Sequence, residues 1–172
     1  MSRNYYSLSK DLVYTIRGTA KLLDVASDRY GGDWHSVPHA HSHMELFFIV
    51  AGKGQFLIQD QLYPVNVNNL VIINPNVPHT EVSLNAQPLE YIVLGIEGTE
   101  LAAGVTGNGS FCILDHYESA EIASCLRNIL REMEQKSTGY EDVCQAYLEI
   151  LIIRQPAAAC STSKYEPQPS RW

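Results

Sequence analysis

Short apolar segments separated by turn-forming residues run through the middle of the chain, and this rhythm limits the fold more than any other feature. Met44 to Ala51 (MELFFIVA) is rich in aromatic and β-branched residues, and Gly52-Lys53-Gly54 supplies a tight turn after it. Gln55 to Gln59 follows, then a turn at Asp60-Gln61, Leu62 to Val67, a turn at Asn68-Asn69, and Leu70 to Asn74. Val82 to Leu84 and Leu89 to Ile96 flank Asn85-Ala86-Gln87-Pro88, and a glycine-rich loop, Gly98 to Gly109, precedes a last strand at Ser110 to Leu114. Strands at roughly 8–12-residue spacing with polar turns predict a sandwich or barrel. Several of them are apolar on both faces, so part of the outer surface must be covered.

The pattern then turns helical. Asp115 with Glu118 reads as a capping box for a helix from about His116 to Lys136, whose apolar stripe is Ile122, Cys125, Leu126, Ile129, Leu130 and Met133. Thr138 with Glu141 repeats the signature, and a second helix runs to about Arg154, before Pro156. Val143, Tyr147, Ile150 and Leu151 form one apolar face of it, and Cys144, Leu148 and Ile152 another. Such a hairpin is expected to lay one face on the barrel and part of the other on a partner chain; the alternative is that both faces pack inside a monomer. Ile122, Ile129, Val143, Tyr147, Leu148 and Leu151 are the expected dimerisation residues. The predicted organisation is a barrel over residues 1–115, a helical hairpin over 116–155, and a polar, Pro-containing linker over 156–172.

Charge excludes one function class. The 172-residue chain carries a net charge of −7, and between Tyr30 and Leu126 its only Lys or Arg is Lys53. Nucleic-acid binding needs several basic groups to displace phosphate counterions, so this chain is not expected to bind DNA by itself. The longest apolar run, Leu46 to Ala51, is far short of the roughly 20 residues that span a bilayer. Cys112, Cys125, Cys144 and Cys160 are widely spread, as reduced thiols are. With no apolar leader at the N-terminus, the expected location is the cytoplasm, with no membrane contact.

The chemistry-bearing residues are concentrated in His39-x-His41-x3-Glu45. All three positions are odd, so an extended strand would turn them to one face. Two imidazoles and a carboxylate with open positions suit Fe, Mn, Ni or Zn, and His79 could add a fourth ligand from another strand. The same groups could instead hydrogen-bond a polar ligand. His43 shares their parity, but a turn near Ser42 could redirect it, while His35 and His116 read as ordinary surface or loop residues.

His39-x-His41-x3-Glu45-x6-Gly52 matches the first cupin motif, and Asn69-x5-Pro75-x3-His79 resembles the second, with Asn69 in place of the usual glycine. More specifically, HSHMELFFIVAGKGQFLIQDQLYPVNVNNLVIINPNVPHTE resembles the N-terminal domain of AraC-type transcriptional regulators, and the likeness extends over roughly residues 11–155. The resemblance implies a mainly β fold: a cupin double-stranded β-helix, or jelly-roll barrel, followed by an α-helical hairpin. It further implies a small-molecule effector, often a sugar, inside the barrel, and a homodimer formed through the helices. DNA would be bound only through a C-terminal helix-turn-helix domain, which has no counterpart in these 172 residues.

On that basis His39, His41, Glu45 and His79 are candidate polar contacts, with Phe47 and Ile49 as the pocket floor. Trp34 and Tyr63 are candidate stacking surfaces for a sugar ring, and Arg29 a partner for an anionic effector. The complete set of His39, His41, Glu45 and His79 also keeps open an alternative, a stand-alone metal-dependent cupin enzyme of the dioxygenase or sugar isomerase type. Against it stands the absence of an evident acid–base residue beside the cluster.

Overall fold

The computed structural model describes residues 20–30, 37–83, 87–100, 110–114, 120–154 and 168–169. Nine strands and two helices follow one another among them: β1 (Lys21–Tyr30), β2 (Met44–Ala51), β3 (Lys53–Ile58), β4 (Gln61–Asn66), β5 (Leu70–Ile73), β6 (His79–Ser83), β7 (Leu89–Glu97), β8 (Phe111–Leu114), α1 (Ala120–Gln135), α2 (Tyr140–Arg154) and β9 (Gln168–Pro169). The strands form two antiparallel sheets, ordered β1-β7-β2-β5-β8 and β6-β3-β4-β9. The expected mainly β barrel with a closing helical hairpin is therefore the observed architecture. One addition falls in the segment read as a linker, where Gln168 and Pro169 pair with Leu62 and Gln61 at the edge of the smaller sheet. The start expected for the first helix, at His116, lies outside the described residues.

Local chemistry sets the turns. Gln59 and Asp60 both have positive φ, at 50° and 64°, and join Ile58 to Gln61 as a two-residue hairpin loop. That conformation matches the twist of the flanking strands. The turn sits one residue earlier than the sequence predicts.

The apolar-on-both-faces strands find their explanation in two separate cores. On β2, Phe47 and Ile49 point between the sheets, where they meet Phe56, Ile58, Val65, Val71, Ile73, Tyr91 and Phe111. Met44, Leu46 and Phe48 point the other way, onto a layer shared with Ile122, Leu126 and Ile129 of α1 and Cys144, Leu148 and Leu151 of α2. The larger sheet is thus sandwiched between the smaller sheet and the helices.

This placement corrects the expected dimer surface. Ile122, Ile129, Leu148 and Leu151 are each no more than 3% exposed inside their own chain, because the hairpin needs those side chains to cover the sheet. Tyr147 is half-buried and its hydroxyl accepts a hydrogen bond from Asn128 at 3.3 Å, while Val143 remains exposed. Ile150 and Ile153 are exposed as well. The Gln145 side chain ties α2 to β1: its Nε2 donates to the Ala20 carbonyl at 2.9 Å and its Oε1 accepts from the Leu22 amide at 3.0 Å. Cys112, Cys125 and Cys144 are buried, and the Cys144 thiol donates to the Ile129 carbonyl at 3.6 Å. Among the described residues no helix is long and apolar enough to cross a membrane.

Candidate functional site

His39, His41, Glu45 and His79 come together at one end of the barrel, with one ligand atom from each lying within 4.8 Å of the others. Convergence through strand alternation alone would require residues 39–45 to stay extended. The strand begins only at Met44, and the chain bends at Ser42 and His43. Convergence comes from the backbone instead. His39 N donates to His79 O and His79 N to His39 O, both at 2.9 Å, and Asn76 N donates to His41 O at 2.7 Å. The bridge sets the His39 and His79 rings 4.7 Å apart, centroid to centroid. His43 stacks at 5.1 Å from His41 but contributes no ligand atom to the cluster.

Two of the imidazoles are oriented by the same local device. Nδ1 of His79 lies 2.9 Å from the Val77 carbonyl, and Nδ1 of His39 lies 3.1 Å from the Val37 carbonyl. A carbonyl can only accept, so each Nδ1 carries the proton and each Nε2 keeps a lone pair when the ring is neutral. His79 Nε2 is 2.9 Å from Glu45 Oε2, yet the carboxylate is off the line an N–H would take, and this buried nitrogen has no aligned hydrogen-bond partner. The other carboxylate oxygen, Oε1, stands 3.6 Å from His41 Nε2.

Three imidazoles and one carboxylate fit a divalent cation in donor type. An ion with bonds of about 2.1 Å holds its donors about 3–4 Å apart, so modest side-chain movement would close the cluster on one. Electrostatics at His79 are contested. Burial works to lower its pKa, but the Glu45 carboxylate, the Val77 carbonyl and the charges of Glu45 and Glu81 together hold it above the ordinary histidine value.

The other candidate residues divide. Phe47 and Ile49 face the interior on Glu45's side of β2, and the Phe47 ring makes edge contacts with His79, Phe56 and Tyr91 at 5.9, 5.0 and 5.3 Å. Tyr63 packs its ring on Phe111 at 4.8 Å and donates its hydroxyl to Gln61 at 2.8 Å, and burial pushes its pKa up. Arg29 is not brought to the cluster. It pairs with Glu90 at 3.0 Å, on the side of the sheet that carries Val50 and Ile92 beneath the helices, so its charge is already matched there. Trp34, like His35 and His116, lies outside the described residues.

Sequence reasoning missed two interior residues, Glu81 and Tyr91. Glu81 is 3% exposed, and its Oε1 accepts a hydrogen bond from the Tyr91 hydroxyl at 2.9 Å. The parity rule that singled out Glu45 also puts Glu81 on His79's side of β6, and would have found it. Together the two supply ionisable groups next to the cluster, where none was evident from the sequence.

Residues 12–152 match the family described as the AraC-like ligand binding domain. No curated protein sequence matches the chain. Among solved structures, ToxT from Vibrio cholerae strain SCE256 with an unsaturated fatty acid bound aligns at 12% identity and a TM-score of 0.52, over 80% of this chain and 56% of ToxT. ToxT from Vibrio cholerae O395, bound to a methylnaphthalenyl-butenoic acid, aligns at 10% identity and a TM-score of 0.51, over 81% and 58% of the two chains. A cupin protein from Bacteroides fragilis aligns at 17% identity and a TM-score of 0.40, over 61% of this chain and 98% of its own.

Proposed function

Since the chain belongs to the family of AraC-like ligand binding domains, we propose that it senses a small-molecule effector in its barrel and relays the bound state to a DNA-binding domain in a longer protein. The observation that carries this reading is the extent of the family match, residues 12–152, which takes in both the barrel and the helical hairpin. An effector would act by binding one arrangement of barrel and hairpin better than another. The Gln145 link between α2 and β1 offers one physical connection for that coupling. The effector's polar end would meet His39, His41, Glu45 and His79, and its body the apolar walls around Phe47 and Ile49. A sugar would place some hydroxyls well at the polar end but others against those walls. Pairing of two copies would use the exposed stripe Val143, Ile150 and Ile153 of α2.

The test is a thermal-unfolding screen against sugars, amines, carboxylates and aromatic metabolites. A ligand that binds only the folded state stabilises by about 2.7 kcal/mol at a hundred times its Kd, so a true effector raises the midpoint progressively with concentration. A screen without one such compound would overturn the reading.

A second reading, metal-dependent catalysis, is favoured by the four-donor cluster, in which the buried Nε2 of His79 stands 2.9 Å from the Glu45 carboxylate. His39, His41, Glu45 and His79 would hold Zn, Mn, Fe or Ni, and the ion would supply Lewis acidity or an oxygen-binding centre. Glu81 and Tyr91 would hold and pass a proton beside it. About one metal per chain in protein purified without a tag, lost in His79→Ala, is the expected result for a metal centre. Substrate turnover by the loaded protein separates an enzyme from a metal-binding sensor.

A further inference from the structure

The barrel interior contains a carboxylate that the histidine cluster does not use. Glu81 is buried on β6, its Oε1 accepts a hydrogen bond from the Tyr91 hydroxyl, and its Oε2 is buried with no partner among the described residues. An unmatched buried acceptor costs about 1–3 kcal/mol, and more when it is charged, so such an oxygen marks a place where a donor is expected. His79, the imidazole on the same strand, does not supply that donor, since its Nδ1 is committed to the Val77 carbonyl and its Nε2 stands 2.9 Å from Glu45. Among the described residues from 37 to 114 the only Lys or Arg is Lys53, which is exposed at the outset of β3. It also stands on the opposite side of that strand from Phe56 and Ile58, the two residues that face the interior.

The surroundings of Glu81 narrow the missing donor further. The Phe47 ring makes edge contacts with the rings of His79, Tyr91 and Phe56, and Phe56 stands opposite Glu81 in the pairing of β3 with β6. Aromatic faces beside a buried carboxylate favour a cationic group, since the ring quadrupole and the anion attract it together. The remaining walls, Ile49, Ile58, Val65, Val71, Ile73 and Ile113, are aliphatic and offer no polar partner to a second head group.

We propose that Glu81, with Tyr91 and Phe47 beside it, receives the ammonium group of an apolar amine, and that the barrel selects amines over carboxylates of the same shape. The proposal rests on the effector-binding reading and narrows it to one ligand class. Glu81 donates no atom to the four-residue cluster, so the subsite is testable in protein stripped of metal.

The experiment measures the unfolding midpoint of the EDTA-treated 172-residue chain with butylamine, butanol and butanoate at matched ionic strength. Butylamine is expected to raise the midpoint at concentrations at least tenfold below those at which butanol does, with no rise from butanoate. In Glu81→Gln, which keeps an acceptor for the Tyr91 hydroxyl but not the charge, the preference for the amine should disappear. Should that variant not fold, the amine-over-carboxylate order in the unmodified chain, read independently by calorimetric titration, decides the matter. Equal stabilisation by butanoate, or an amine preference that survives Glu81→Gln, overturns the amine subsite while leaving an effector-binding barrel in place. Silence from all three probes overturns the subsite too, and the broader screen then decides the effector reading on its own.

Discussion

His79 is subject to opposing forces whose balance is measurable. Burial disfavours its charged form, but Glu45, the Val77 carbonyl and Glu81 outweigh burial and raise its pKa. A pKa raised on folding adds stability that is fully present below the unfolded value of about 6.5 and lost as pH rises through the folded value. The metal-free protein is therefore expected to become easier to unfold in urea as pH climbs from 6.5 upward, and His79→Gln should flatten that slope. A metal ion competes with the same proton, so its affinity should rise with pH, by about tenfold per unit where one proton is displaced. A stability that rises through this interval would contradict the assignment. At this scale the sequence was informative wherever parity holds: Glu45, Phe47 and Ile49 do share a face. No such alternation guides the reading of Arg29, whose neighbouring Gly31-Gly32 reads as a loop, while the residue itself lies in β1 opposite Glu90.

Between elements, two glycines with nearly equal backbone angles have very different surroundings. Gly52 has φ of +80°, and a Cβ built on it would stand 1.8 Å from the Pro88 carbonyl oxygen; Gly139 has φ of +79° with open space around it. Gly139→Ala should cost about 1 kcal/mol, the strain of a left-handed conformation alone. Gly52→Ala must also move a backbone carbonyl, and a loss on the order of 3 kcal/mol is expected. Urea unfolding of both variants checks the contrast, and equal losses would mean that the Pro88 segment yields freely. The strands were legible from their turns because glycine, asparagine and aspartate interrupt each apolar run. The second apolar face of the sheet was legible too, as a surface needing cover. What the sequence could not assign was the cover itself, since Leu148 and Leu151 serve equally well against a sheet or against another chain.

For the molecule as a whole, the question is what remains for a partner once the hairpin has closed over the barrel. Val143, Ile150 and Ile153 are 39%, 42% and 59% exposed, and lie at spacings of seven and three residues along α2. That spacing puts them on one face of a helix. If two copies associate there, Ile150→Glu should convert a dimer to a monomer in light scattering and leave the unfolding midpoint nearly unchanged. Leu148→Ala should do the reverse, costing about 2–5 kcal/mol through the cavity left in the core. A wild-type chain that stays monomeric at tens of micromolar would remove the dimer from the proposal.

The amide of Gln145 has one more effect. By donating a hydrogen bond to the Ala20 carbonyl and accepting one from the Leu22 amide, it reproduces the bonding of an adjacent strand along the outermost strand of the five-stranded sheet. Open strand edges recruit strands from other molecules and so promote aggregation. A single helical side chain here stands where such an intruder would begin to pair. The residue that joins hairpin to barrel therefore also occupies two backbone groups that an edge strand would otherwise offer to another chain.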